Sequence, residues 1–266
     1  MQEPFIGFTA STGRCGTKYM SIMLSLANCK GTHEWLFKEF RDKTVEPWGD
    51  LKVSALINGE ALWQRHSLAR YEEVKDRNWL ECDSRFLTLG YYWALRDFDW
   101  DRIKVIMLKR DSTKVTFANA KVGGYKKCIT NTGVLKINHH TLTYPGSGNV
   151  TKLPKHIWDM TAMELSAWNT FETWERQKRF KEVFPTIPTF DWDMDKDPPS
   201  ITRWYDLLEF LGLKMTTMLA KRIRENPIIN STVHKKNHLG YTMEDAEKAV
   251  FHHKIIYNEP RPKGFL

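Results

Sequence analysis

Two kinds of hydrophobic run alternate along the chain. Pro4 to Thr9 (PFIGFT) is short and almost continuously apolar, the signature of a buried strand. Small residues and glycines follow. Met20, Met23, Leu24 and Ala27 then recur at i, i+3, i+4 and i+7, which marks one face of a helix. Strand, glycine turn, helix is the opening unit of a nucleotide-binding α/β domain. Further strands are predicted at Lys52–Ile57 (KVSALI), Asn78–Cys82 (NWLEC), Ile103–Leu108 (IKVIML) and Thr186–Trp192 (TIPTFDW). The run at 103–108 is nearly all apolar, as a central parallel strand buried on both faces requires.

Helical periodicity fills the spaces between. Ser84 caps a helix carrying Phe86, Leu89, Trp93 and Leu95, and the strand at 103–108 runs into Lys109-Arg110-Asp111-Ser112 before another helix through Val115 and Ala118. The stretch from Ile157 to Phe184 is long and helical, with Trp168, Phe171 and Trp174 at spacings of three. Ser200 caps a helix through Trp204, Leu208 and Leu211 that Gly212 stops, and Thr242 with Asp245 forms a capping box for a last helix. From about 122 to 156 glycines, prolines, threonines and the pair His139-His140 replace this periodicity, which predicts an irregular insertion or flap. The alternation predicts an α/β chain with a central, mostly parallel sheet and helices on both faces, in a single domain over 1–266.

Charge narrows the partners. A net charge of +8 and a pI near 9.2 favour anionic ligands, but no dense Lys/Arg block marks a nucleic-acid tail. A polyanionic cosubstrate fits the charge equally well. The four cysteines (Cys15, Cys29, Cys82, Cys128) form no CxxC pair, and His139-His140, His238 and His252-His253 have no ligand spacing, so no metal site is expected. Free thiols, no basic segment leading into a long apolar core, and no apolar run near the roughly 20 residues of a membrane helix predict a cytoplasmic protein away from membranes.

The chemistry concentrates in Thr12-Gly13-Arg14-Cys15-Gly16-Thr17-Lys18. A glycine turn between a strand and a helix aims backbone N–H groups at one point, where the helix dipole adds about half a positive charge. Gly13 and Gly16 let the backbone curl, and Arg14 sits between them where its guanidinium can meet phosphate oxygens. A Walker A loop needs Gly-Lys-Ser/Thr; here Thr17 follows Gly16 and Lys18 comes one place late, which disfavours an ATP kinase.

The loop resembles the 5′-phosphosulfate loop of sulfotransferases that use 3′-phosphoadenosine 5′-phosphosulfate (PAPS), in the Gly-Arg-Ser/Cys-Gly-Thr form of the bacterial-type branch. Cys15 replaces a common Ser, and Lys18 the second Thr. A second segment, KVIMLKRDSTKVTFAN (104–119), resembles the family's 3′-phosphate site, a strand ending in Arg-Asp followed by a helix. Ser112 stands where Pro is usual, and Ala118 where the family has a Ser, with Thr116 or Asn119 as replacements. Gly31 to Phe37 (GTHEWLF), Trp79 to Ser84 (WLECDS), Trp204 to Leu213 (WYDLLEFLGL) and Val233 to Asn237 (VHKKN) resemble later family segments in order.

The resemblance implies a P-loop-NTPase-like fold, PAPS as cosubstrate, PAP as product and no metal. It implies a donor site of Gly13, Arg14, Cys15, Gly16, Thr17, Lys18, Arg110, Asn119, Lys235, Lys236 and Asn237. Arg14 would neutralise the leaving 5′-phosphate. Glu34 is the first candidate base, His33 the next, and Glu81 and Asp83 a third option as substrate contacts. The acceptor would be a hydroxyl or amine of a small molecule. A nucleotide or small-molecule kinase with a variant loop, and a non-catalytic nucleotide-binding module, are the competing readings.

Overall fold

A computed structural model describes residues 3–33, 71–82, 86–87, 99–122, 125, 127–129, 135–137, 150–151, 153–225 and 240–258. The strand predicted at 52–57 and nearly all of the helix predicted from Ser84 lie outside them, as do Glu34, Asp83, Lys235, Lys236 and Asn237. By its contacts the chain divides into two compact units, 1–110 with 177–231 and 111–176 with 232–266.

The first unit holds the sheet. Five strands, β1 (Ile6–Ala10), β2 (Lys30–His33), β3 (Trp79–Cys82), β4 (Ile103–Lys109) and β7 (Thr189–Asp193), lie in the order β2-β3-β1-β4-β7, and every pairing is parallel. The central β1 is buried at all five positions, which explains its unbroken apolar run. Alternate residues of β1 and β4 (Ile6, Phe8, Ala10; Ile103, Val105, Met107) pack with Trp79, Phe86, Phe180 and Phe184 in one core. On the other side Trp192 meets Trp204 with ring centroids 4.7 Å apart, and Tyr19 joins them.

Helix α1 (Thr17–Ser25) follows β1 and packs on β2 and β3. Gly31 of β2 lies against the Ser21 carbonyl, where any Cβ would collide with backbone. Helix α4 (Ile201–Leu211) starts on the Ser200 hydroxyl, which accepts from Arg203 N, and ends on Gly212 at φ 74°. Helix α5 (Thr217–Glu225) buries only Leu219 and Ile223.

The second unit contains α2 (Ser112–Lys121), the greater part of α3 (Ala162–Val183), α6 (Met243–Asn258) and a two-stranded antiparallel hairpin, β5 (Lys127–Ile129) with β6 (Leu135–Ile137). The hairpin is ordered structure inside the stretch predicted to be irregular. One core joins Phe117, Ala120, Met163, Phe171, Trp174 and Val250, and a second joins Tyr125, Met160, Leu165 and Trp168.

Candidate active site

The strand order places the connection after β1 at the carboxyl end of the sheet, where β3 lies on one side of β1 and β4 on the other. Open parallel sheets bind ligands at such a switch point. In the first unit all five strand ends carry polar chemistry here: the loop Ser11–Gly16, His33, Glu81, Arg110 and the turn at 193–195.

The loop is tightly curled. Arg14 has φ 68° and Gly16 φ 90°, both in the left-handed region. For arginine that backbone is unfavourable by about 1–2 kcal/mol, so its surroundings hold it there. A Cβ on Gly16 would sit 2.5 Å from the Met194 methyl, which would have to swing aside, and the φ of 90° favours glycine whatever the space. The Thr12 hydroxyl donates to the Gly13 carbonyl and lies 3.1 Å from Cys15 Sγ. Burial pushes the Cys15 thiol up to about 11, so it stays protonated and unreactive.

Gly16 is the N-cap of α1, and no side chain caps that end or adds an acid to its first turn. The described ends of α2, α4 and α6 are instead closed by Asp111, by Ser200 and by the Thr242–Asp245 box. Among the described residues the first N–H groups of α1 have no side-chain cap, the arrangement that suits an anion. Ser11 Oγ is buried and meets no partner among the described residues. Beneath the loop the Gln177 amide donates to the Ala10 and Leu108 carbonyls, at 2.7 and 3.1 Å, and ties the ends of β1 and β4 together.

Arg110 brings a second cation to the loop. Its Nη1 donates to the Arg14 carbonyl at 3.3 Å, and its Nε lies 3.9 Å from Asp195 Oδ1. His33, at the end of edge strand β2, places Nε2 3.1 Å from the Thr17 hydroxyl. Glu81 at the end of β3 is almost wholly buried; its carboxylate accepts from the Thr32 hydroxyl at 2.9 Å. Lys18 is exposed on α1.

The structure thus brings together the Gly13–Thr17 loop, Arg110 and His33 from the predicted set. Asn119 belongs to α2 in the second unit, where its Nδ2 and Thr116 Oγ1 are buried without partners among the described residues. Sequence reasoning missed Asp195, Met194 and Gln177. The alternating acids of DWDMDKD (191–197) were a visible signal for the first; Gln177 gave none. Among the described residues, no group of three or more His, Cys, Asp or Glu could hold a metal ion, and no helix is long and apolar enough to cross a membrane.

No model of a protein family matches the chain, and no curated protein matches it. Solved structures do. The sulfotransferase domain from the curacin biosynthetic pathway aligns with a TM-score of 0.53 at 11% identity, covering 96% of this chain and 99% of that one. The sulfotransferase domain from the Synechococcus PCC 7002 olefin synthase gives 0.46 at 11% identity, over 100% and 92%. The chain has a sulfotransferase-like α/β fold built on a parallel five-stranded sheet, as the sequence predicted.

Proposed function

We propose that the chain is a PAPS-dependent sulfotransferase that moves a sulfuryl group to a hydroxyl or amine of a small-molecule acceptor. The observation that carries this reading is the uncapped, left-handed turn at Arg14–Gly16 with the Arg110 guanidinium on its carbonyl. Two cations and a cluster of open N–H groups suit a ligand with two phosphate-type charges. A fold shared with sulfotransferase domains supports it further.

Bound there, PAPS would supply an activated sulfur whose bond to the bridging oxygen breaks as the acceptor oxygen bonds to it. The protein's own part is positioning and charge. Arg14 and the N–H groups from Cys15 to Lys18 stabilise the electron pair that departs onto the 5′-phosphate. Arg110 holds the 3′-phosphate, the group ATP lacks. The imidazole of His33, at the loop's mouth on Thr17, takes the acceptor proton. Glu34, Asn119 and the 235–237 segment enter this reading from the sequence alone. Cys15, Cys29 and Cys82 are free thiols, which suits a reducing compartment such as the cytoplasm.

A thermal-shift panel of PAP, ATP and GTP tests the donor. PAP at 100 times its dissociation constant should add about 2.7 kcal/mol, with no comparable gain from ATP or GTP. Selective stabilisation by ATP with magnesium would contradict the reading.

A further inference from the structure

The turn after β7 grips the phosphate loop from the side, through contacts that lie wholly within the first unit. Met194 N donates to the Lys109 carbonyl at 2.8 Å, which fixes the turn to the end of β4. Asp195 N donates to Asp193 Oδ1 at 2.9 Å, which fixes the turn on itself. From this platform the Met194 thioether covers Gly16, and the Asp195 carboxylate faces Arg110 Nε. Arg110 in turn reaches the carbonyl of Arg14, the residue in the unfavourable left-handed backbone.

We infer that Asp195 is a positioning residue: through Arg110 it forms a strut that keeps the phosphate loop curled before any ligand arrives. The geometry of the guanidinium makes this possible. It offers five N–H donors in a rigid fork, so Nε can face Asp195 and one Nη1 hydrogen can hold the loop while other donors remain for an anion. A lysine has no such fork. The strut deepens the donor-site reading proposed above, and its binding consequence rests on that reading; its effect on the loop does not.

Cys15 reports the loop's state without any nucleotide. Its thiol is fully buried inside the turn, and Cys29, just beyond α1 in the same unit, is a second buried thiol that serves as an internal control. The measurement is the rate of alkylation of each cysteine by iodoacetamide, followed by peptide mass spectrometry, in the wild type, Asp195→Asn, Arg110→Met and the double variant. Asp195→Asn keeps the size of the side chain and removes its charge. Cys15 should label roughly threefold faster in each single variant, with Cys29 unchanged, because only the loop opens and a loosely held pair is worth less than about 1 kcal/mol. The double variant should label no faster than Arg110→Met alone, since Asp195 acts through Arg110.

Wild-type labelling of Cys15 in Asp195→Asn overturns the strut. So does an equal rise at Cys29, and so does a further increase from Asp195→Asn in the Arg110→Met background. PAP titration on the same variants separates the two readings. Faster Cys15 labelling in a protein that binds no PAP leaves the strut standing and removes the donor assignment. Weaker PAP binding in Asp195→Asn, lost in the Arg110→Met background, supports both.

Discussion

Two arginines, one in each unit, each face a carboxylate, and they are held very differently. Arg176 Nε donates to Glu172 Oε1 at 2.7 Å, with side chains 15% and 0% exposed. Glu172 also accepts from Val150 N, Thr151 N and the Thr151 hydroxyl, so its lone pairs are taken up inside the second unit. Arg110 lies 3.9 Å from Asp195, with side chains 22% and 24% exposed, and its hydrogen bond to the Arg14 carbonyl is a long 3.3 Å. The contrast separates a cation committed to the fold from one held in place yet still able to meet an anion. A close, dry, fully hydrogen-bonded pair is a structural fastening; a loose pair beside an uncapped helix end suits a binding site.

Breaking the tight pair should have the largest effect. Arg176→Met leaves a buried carboxylate without its counter-charge, and about 3–5 kcal/mol of stability should be lost in a urea titration. A loss below about 1 kcal/mol would erase the contrast.

The same unit should be acid-sensitive. His253 is buried against Phe171, with ring centroids 5.0 Å apart; desolvation, with help from His252 and against Glu172, pushes it down to about 4 from the ordinary value of 6.5. The folded state keeps this histidine neutral, while the unfolded chain protonates it below about 6.5. Its contribution is therefore complete above pH 6.5 and is lost as pH falls toward 4, about 3 kcal/mol across the window. Urea unfolding at pH 7 and pH 4.5 should show that slope in the wild type and a flatter one in His253→Phe.

At the other site the expected effects on stability are smaller. Gly16→Ala forces alanine into φ 90° and against Met194. It should cost about 1–2 kcal/mol. Removing the Met194 side chain as well should recover only the steric share, because the backbone term remains. Arg110→Met should change stability least, by less than about 1 kcal/mol, as loosely held and partly exposed pairs do. A melting-temperature drop equal to that of Arg176→Met would show Arg110 to be a structural fastening too.

The parts of this arrangement that sequence could reveal are the local ones. β1 and β4 announce themselves because central strands are apolar on both faces, and α1 and α4 because their buried sides repeat at helical spacing. The curl of the loop was legible in Gly13 and Gly16, which bracket Arg14. β2 was not: as an edge strand of four residues, KGTH, it is half exposed and has no apolar pattern. α5 was missed because only Leu219 and Ile223 are buried in it. The Asp195–Arg110–Arg14 chain joins residues roughly 80 to 100 positions apart, and no local period encodes such a meeting. Glu34 and Lys235–Asn237 were chosen from sequence, and they lie outside the described residues.

In the proposed reading, Arg14 and Arg110 serve the two phosphate ends of one nucleotide. Calorimetric titration of PAP against adenosine 5′-phosphate, in the wild type and in Arg110→Met, tests it most directly. PAP should bind the wild type at least about tenfold more tightly, as a charge-assisted contact worth roughly 1.5–3 kcal/mol requires, and that advantage should vanish in Arg110→Met. Equal binding of the two nucleotides by the wild type, or a preference that survives the substitution, would contradict the account.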